Sequence, residues 1–232
     1  MFIGTLAGGL LASPFPTFAQ QSTKLHRIGV LGNVDVPPWE GLRQGLRDLG
    51  YVDGRNITME WRWSEGRPDR LPALALELVQ LKVDIIVASS TQAAQAAKQA
   101  TSTIPVVMVL SAYPDKVGLV QSLARPGGNV TGLSTYSPEL LGKRLELLKE
   151  IAPKVSRVAV LWNPANPVEP LGFRETLAAA AVAGVEIQSI EARTPDDHAA
   201  AFATVTTSRA DALIAHGNPI NCRTGSSLPT SR

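Results

Sequence analysis

The feature that most limits the fold of this chain is a pattern that occurs twice. Residues 27–62 and 157–193 both contain Arg-x-x-Val-Leu, an asparagine, a proline-rich loop, a helical stretch and a second strand-like stretch. Further along, VDIIVA at 83–88 matches ADALIA at 210–215. A repeated order of this kind predicts two similar α/β lobes with a cleft between them. Identity between the copies is low, so a shared strand–helix rhythm without duplication is the alternative interpretation.

Short apolar runs alternate with longer amphipathic stretches along the whole repeat. Most of the runs are continuously apolar, which is typical of parallel strands buried by helices on both faces. We predict strands at 27–31, 56–62, 83–88, 105–110, 129–134, 157–162, 185–190 and 211–216. We predict helices at 38–49, 68–81, 91–101, 115–124, 138–151, 168–183 and 195–208, the fifth with Ser137 as N-cap and Pro138 at its first position.

Composition excludes several classes of protein. A net charge of +2 without a stripe of Lys and Arg argues against nucleic acid as a partner. The single Cys222 excludes a disulfide framework and a multi-cysteine zinc site, and three scattered histidines argue against a histidine metal centre. We therefore predict no metal and no cofactor.

The first 23 residues carry no charged side chain. Phe2–Ala12 is apolar and a small-residue cleavage site ends at Ala19, which indicates a secretory leader too short to span a bilayer. The basic segment of such a leader is missing, and a disordered or core-packed N-terminus is the alternative. The predicted organisation is a leader at 1–23, lobe 1 at 24–136, an incomplete lobe 2 at 137–220 and an irregular tail at 221–232.

Sequence motifs for catalysis are mostly absent. The chain has no G-x-S-x-G elbow, no Walker A loop, no G-x-G-x-x-G after a strand and no H-E-x-x-H. The glycines of 127–132 precede a strand and predict a turn, and Cys222 lies in the irregular tail, where nothing would hold it beside His216. We therefore predict that the protein is not an enzyme.

Polar residues instead follow the predicted strands, at the edge where open parallel sheets bind ligands. For each residue alone, capping or turn formation is an equally good explanation, but together they would face one cleft. The candidate ligand-binding residues are Asn33, Ser89, Ser90, Thr91, Tyr113, Thr135, Asn163 and Asn218, with Asp35, Ser111 and Tyr136 beside them.

Ser89-Ser90-Thr91 is the best placed of these, because it ends a buried strand and opens a helix. Free N–H groups and the positive end of the helix dipole would point at a ligand there. A nucleophilic serine would need a nearby base, and none precedes this turn. The arrangement predicts a site for a carboxylate that is bound and left unchanged, with simple N-capping as the alternative.

Several stretches resemble a known family, and the match is most specific at 123–132. The stretches are FIGTLAGG (2–9), GYVDGRNI (50–57), EWRW (60–63), RLP (70–72), LARPGGNVTG (123–132) and KRLELL (143–148). They resemble the ABC-transporter substrate-binding proteins related to the tryptophan/tyrosine-binding type. The resemblance implies a periplasmic binding protein of type I that closes over an amino-acid-like, often aromatic, ligand and delivers it to an inner-membrane ABC permease.

The resemblance implies a role in ligand binding for two residues of this sequence. The resemblance implies that Thr91 holds the ligand carboxylate and that Asn163 belongs to the cleft loop of lobe 2. Tyr113-Pro114-Asp115 replaces the usual Asp-Pro-Val, and Asn218-Pro219 stands where Asp-Pro is common, so the carboxylate for a ligand amine is displaced or lost. Family members also begin with arginines and continue further, which predicts a frameshift or early stop and a second lobe that is unstable or does not close.

Three functions fit these observations. The leading one is a solute-binding component without catalysis, exported to the periplasm. The alternative is a small-molecule hydrolase or transferase on the same scaffold, and a third is the ligand-sensing domain of a regulator, which would need a helix-turn-helix. Stacking on an aromatic ligand could involve Tyr113, Tyr136, Trp162 or Trp39.

Overall fold

The structure, a computed structural model, describes residues 25–33, 38–135 and 139–216. The leader, the tail, the Ser137–Pro138 cap and the candidates Asp35, Tyr136 and Asn218 lie outside these ranges. Within them the chain forms two parallel sheets, and none of the described helices is long and apolar enough to cross a membrane.

The first sheet has five parallel strands in the order β2-β1-β3-β4-β5. Its strands are β1 (His26–Gly32), β2 (Ile57–Trp63), β3 (Ile85–Ala88), β4 (Val106–Ser111) and β5 (Val130–Ser134). Three helices pack on it: α1 (Pro38–Asp48), α2 (Leu71–Gln80), which follows a short 3-10 turn at Pro68–Arg70, and α3 (Thr91–Ala100).

The two faces of this sheet hold separate cores. On one face, α2 and α3 bury leucines and small alanines against β3 and β4. On the other face, Trp39 of α1 packs with Val30 and Ile57. The small alanines of α3 let its backbone pack close to the sheet, and only Ser89 and Ser90 separate the start of this helix from the end of β3.

The second sheet has three described strands in the order β7-β6-β8, again all parallel. Its strands are β6 (Arg157–Trp162), β7 (Glu186–Glu191) and β8 (Ala212–Ala215). Its helices are α4 (Glu139–Ile151), α5 (Glu169–Ala183) and α6 (His198–Thr207), the last after a 3-10 turn at Pro195–Asp197. One core lies beneath α4 and α5, and a smaller one lies beneath α6.

The predicted fold class, two Rossmann-like α/β lobes, is confirmed. The prediction that the second lobe is incomplete stays a prediction. Strands β6, β7 and β8 are arranged as β1, β2 and β3 are, and the described part of the second sheet has no counterpart of β4 and β5. All eight predicted strands and six of the seven predicted helices are present. Their ends agree with the predicted ends to within one or two residues, except that the predicted helices at 68–81 and 195–208 each begin with a 3-10 turn.

The predicted helix at 115–124 is wrong, because this segment is a series of turns. Gly118 has a φ of +71°, which a right-handed helix cannot contain. The N–H groups of Leu119 and Val120 both donate to the Pro114 carbonyl, and both side chains are buried in the core of α2 and α3. Tertiary burial therefore fixes this segment as a loop.

Candidate ligand-binding site

The polar residues after the strands come together because parallel strands end at the same edge of a sheet. Asn33 follows β1, Ser89-Ser90-Thr91 follows β3, and Ser111 ends β4. Asn163 follows β6 in the same way in the second lobe. The structure thus places each described candidate at the carboxyl edge of its own sheet.

Ser90 is the N-cap of α3. Its backbone is extended (φ −150°, ψ 166°) and its Oγ accepts the Ala93 N–H at 3.2 Å. The same Oγ accepts from Asn33 Nδ2 at 3.3 Å, while Asn33 Oδ1 accepts from Ser64 Oγ at 3.1 Å. Both contacts use lone pairs of the serine oxygen, which leaves the hydroxyl hydrogen to be donated to a ligand.

Thr91 ties the start of α3 to the end of β4. Its Oγ1 accepts the Ala112 N–H at 3.0 Å and lies 3.1 Å from Ser111 Oγ. The Ser111 carbonyl in turn accepts the N–H of Thr135, whose side chain is exposed. The Thr91 hydroxyl therefore faces β4, and Thr91 presents its backbone at the helix start.

The start of α3 is suited to an anion. No acidic or basic side chain lies in the first turn of α3, so the helix carries no carboxylate of its own there that would compensate its dipole. The alanines that follow are small and buried, so they pack the first turns of α3 closely against the core. The N–H groups of Ala93 and Ala94 already donate to Ser90. A ligand carboxylate could accept from the N–H groups of Thr91 and Gln92 at the helix start and from the Ser90 hydroxyl.

Tyr113 follows Ser111 at the same edge, but its hydroxyl points to the other lobe. It donates to Oε2 of Glu175, on α5, at 2.5 Å. Tyr113 is 9% exposed and has a φ of +48°. This contact was not anticipated from the sequence, because it depends on how the two lobes meet.

Asn163 organises the cleft loop of the second lobe. Its side-chain oxygen accepts the Ala165 N–H at 2.9 Å, and its Nδ2 donates to the Arg193 carbonyl at 3.3 Å. Its own N–H donates to Oε2 of Glu169 at 2.7 Å. Asn163 is 2% exposed, so its amide holds the loop together.

A buried polar cluster that the sequence did not single out lies behind this loop. Glu169 accepts from Asn166 Nδ2 at 3.3 Å, and its Oε2 lies 3.9 Å from Nδ1 of His216. His216 Nε2 contacts Thr176 Oγ1 at 3.2 Å. Burial, and secondarily the charge of Arg144, lowers the pKa of His216 to about 4, so the imidazole is neutral at neutral pH.

Aromatic side chains also border the first lobe's edge. The Trp63 ring and Ser89 Oγ both crowd Gly32, where an added Cβ would come within 2.5 Å and 2.8 Å of them. Trp39 is buried with its ring centroid 5.3 Å from that of Trp63. Trp63 was not among the candidate site residues predicted from the sequence, although it ends β2 at the same sheet edge as the other candidates.

Trp162, the aromatic candidate of lobe 2, packs against residues of its own lobe. It stacks on Phe173 with ring centroids 4.4 Å apart and an interplanar angle of 2°. Its Nε1 donates to Ser189 Oγ at 2.8 Å. Among the described residues, no group of three or more His, Cys, Asp or Glu side chains is placed to hold a metal ion.

Two lobes, each built on a parallel sheet with polar residues at its strand ends, give this chain the fold of the type I periplasmic binding proteins, which its solved structural neighbours share. Residues 36–224 match the family model described as ABC transporter substrate binding protein. The chain therefore belongs to that family.

Individual relatives agree with this assignment. The chain is 38% identical over 146 residues to a tyrosine-binding protein of Clostridioides difficile (strain R20291), which covers 61% of this chain and 42% of that protein. An ABC domain from Streptococcus pneumoniae in complex with L-Trp is 28% identical, with a TM-score of 0.76 over 88% of this chain and 72% of that one. A conserved domain protein from Vibrio cholerae is 31% identical, with a TM-score of 0.73 over 82% and 64%.

Proposed function

We propose that this chain is the solute-binding component of an ABC importer, exported to the periplasm, and that it binds an aromatic amino acid without chemical change. Its partner would be an inner-membrane ABC permease. Family membership supports the binding role over the hydrolase or transferase alternative. The named ligands of the relatives, tyrosine and L-Trp, support the ligand class.

The observation that carries the proposal is the start of α3. It combines the dipole of a ten-residue helix, small side chains and a Ser90 hydroxyl hydrogen that is available to a ligand. These are donors for one carboxylate, and no described base contacts Ser90 that would make it a nucleophile. Bound there, a ligand carboxylate would place the rest of the ligand in the cleft.

The proposed site keeps all the candidate residues but gives them different tasks. Ser89, Ser90 and the backbone of Thr91 would contact the carboxylate, and Asn33 would hold Ser90 in place. The exposed Thr135 and the loop organised by Asn163 would border the ligand from the two lobes, while Asn218 falls outside the described residues. Tyr113 would act between the lobes. The proposed boundaries remain 24–136 and 137–220.

Calorimetric titration with L-Trp and L-Tyr tests this proposal, with tryptamine and tyramine as analogues that lack the carboxylate. We expect the amino acids to bind and the amines to fail. At 100 times Kd, a ligand adds about 2.7 kcal/mol to the free energy of unfolding, which a thermal melt detects.

Ser90→Asp is the sharpest variant, because aspartate is an equally good N-cap and preserves the helix. Its negative charge would lie where the ligand carboxylate is proposed to bind, so binding should be lost while stability is kept. Thr204→Ala removes a hydroxyl far from this edge, on α6, and should bind normally. Tight binding of tryptamine, or undiminished binding by Ser90→Asp, would refute the site.

A further inference from the structure

We propose that Tyr113 and Glu175 form a latch between the lobes, whose hydrogen bond favours the closed arrangement of the cleft. This inference rests on the proposed function only for its effect on ligand affinity. The bond joins a loop of lobe 1 to α5 of lobe 2, and its 2.5 Å length marks a charge-assisted hydrogen bond from a phenol to a carboxylate. Tyr113 thus acts as a positioning residue between the lobes.

The lobe 1 side of the latch is held rigidly. The Tyr113 carbonyl accepts the Val117 N–H at 3.0 Å, which closes a turn directly behind the tyrosine. The ammonium of Lys98, on α3, donates to the carbonyl oxygens of Gly118 and Leu119 at 2.6 and 3.2 Å. The loop that presents Tyr113 is therefore fastened to α3.

The backbone of Tyr113 is also in an uncommon conformation. Its φ of +48° lies in the left-handed region, which costs free energy for a bulky residue. Such a conformation persists only where the surroundings fix it, and it is enriched at functional sites. Here the left-handed backbone places the phenol in a buried position against α5.

The lobe 2 side is equally well fixed. Glu175 lies in the middle of α5, next to the buried Thr176, whose hydroxyl donates to the Gly172 carbonyl at 2.9 Å. Thr176 also contacts His216 at the end of β8. The carboxylate therefore moves with the second sheet, and breaking its bond to Tyr113 would release one lobe from the other.

The latch is joined to the proposed carboxylate site through a single peptide. The N–H of Ala112, which directly precedes Tyr113, donates to Thr91 Oγ1 at 3.0 Å. The start of α3 and the latch are thus parts of one rigid unit. A ligand held at α3 is enclosed when the latch forms, so the latch should raise the apparent affinity by populating the closed state.

The separation of the lobes tests the latch without any ligand. Spin labels at Ser102→Cys and Val182→Cys, in a Cys222→Ser background, report the distance between exposed sites on the two lobes. We expect Tyr113→Phe and Glu175→Met each to lengthen or broaden the distance distribution measured by pulsed electron spin resonance. Tyr51→Phe and Glu146→Met remove the same groups from exposed positions and should leave it unchanged.

Titration with L-Trp then measures the effect on binding. We expect each latch variant to bind about tenfold more weakly, the size expected for losing a hydrogen bond to a charged group. The double variant should be no weaker than either single one, because both remove the same bond.

The outcomes separate the latch from the proposed function. Unchanged distances in both variants overturn the latch, and weaker binding with unchanged distances would mean that Tyr113 contacts the ligand directly. Changed distances in a protein that does not bind L-Trp would support the latch and count against the proposed ligand. Should Tyr113→Phe fail to fold by circular dichroism, Glu175→Met decides.

Discussion

Replacing Ser90 with alanine should destabilise the first lobe in two ways. It removes the N-cap of α3, which costs about 1 kcal/mol. It also leaves the Nδ2 group of Asn33, a residue only 4% exposed, without the oxygen that accepts from it, and a buried unsatisfied donor costs about 1–3 kcal/mol. We expect the free energy of unfolding to fall by about 2–4 kcal/mol in total.

Urea titration followed by circular dichroism measures this loss, and an unchanged m-value would show that stability alone has changed. Ser90→Thr keeps an oxygen at the cap and should recover most of the stability. Ser122→Ala, in which an exposed serine loses its contact with Arg125, should cost little. A loss in Ser90→Ala no larger than that of Ser122→Ala would refute the cap and the Asn33 contact together.

Three further predictions concern other parts of the chain. Gly132→Ala should break the pairing of β5 with β4 and cost more than about 3 kcal/mol in a urea titration, because its Cβ would lie 2.0 Å from the Met108 carbonyl oxygen. Gly41→Ala and Gly45→Ala, in α1 with open space around them, should each add up to about 1 kcal/mol to the same free energy. Folding lowers the pKa of His216 to about 4, so between pH 6.5 and 4 the unfolded chain binds more protons than the folded one. The free energy of unfolding should therefore fall as the pH drops from 6.5 to 4. Thermal melts at a series of pH values should show that His216→Gln makes this fall less steep.

The strands and their parallel arrangement could be predicted because the relevant signal is local. Each strand is a short apolar run between polar or turn-forming residues, and burial on both faces requires such a run. The N-cap of α3 could also be predicted, since Ser90 directly precedes an alanine-rich stretch with no competing proline or glycine. Local propensity and tertiary structure agree at these positions.

The loop at 115–124 and the direction of Tyr113 could not be predicted, because both depend on distant residues. The loop takes its shape from Lys98, on a different helix, and from the core into which Leu119 is packed. Tyr113 was predicted to face a ligand from its place after β4. Its hydroxyl is instead fixed by Glu175, 62 positions along the chain, and only the packing of two lobes brings these groups together.

The asparagine that follows the first strand of each lobe contacts residues at the carboxyl edge of its sheet. Asn33 and Asn163 follow the first strand of each lobe, and both are nearly fully buried. Asn33 holds the cap of α3 through Ser90, and Asn163 contacts Glu169 at the start of α5 through its backbone N–H. In the first lobe the asparagine side chain therefore positions the start of a helix, whereas in the second lobe it holds the loop that precedes one. Asn33→Ala should therefore loosen the start of α3 and weaken binding at the proposed site through it. Asn163→Ala keeps the backbone contact with Glu169 and should instead loosen the cleft loop of the second lobe.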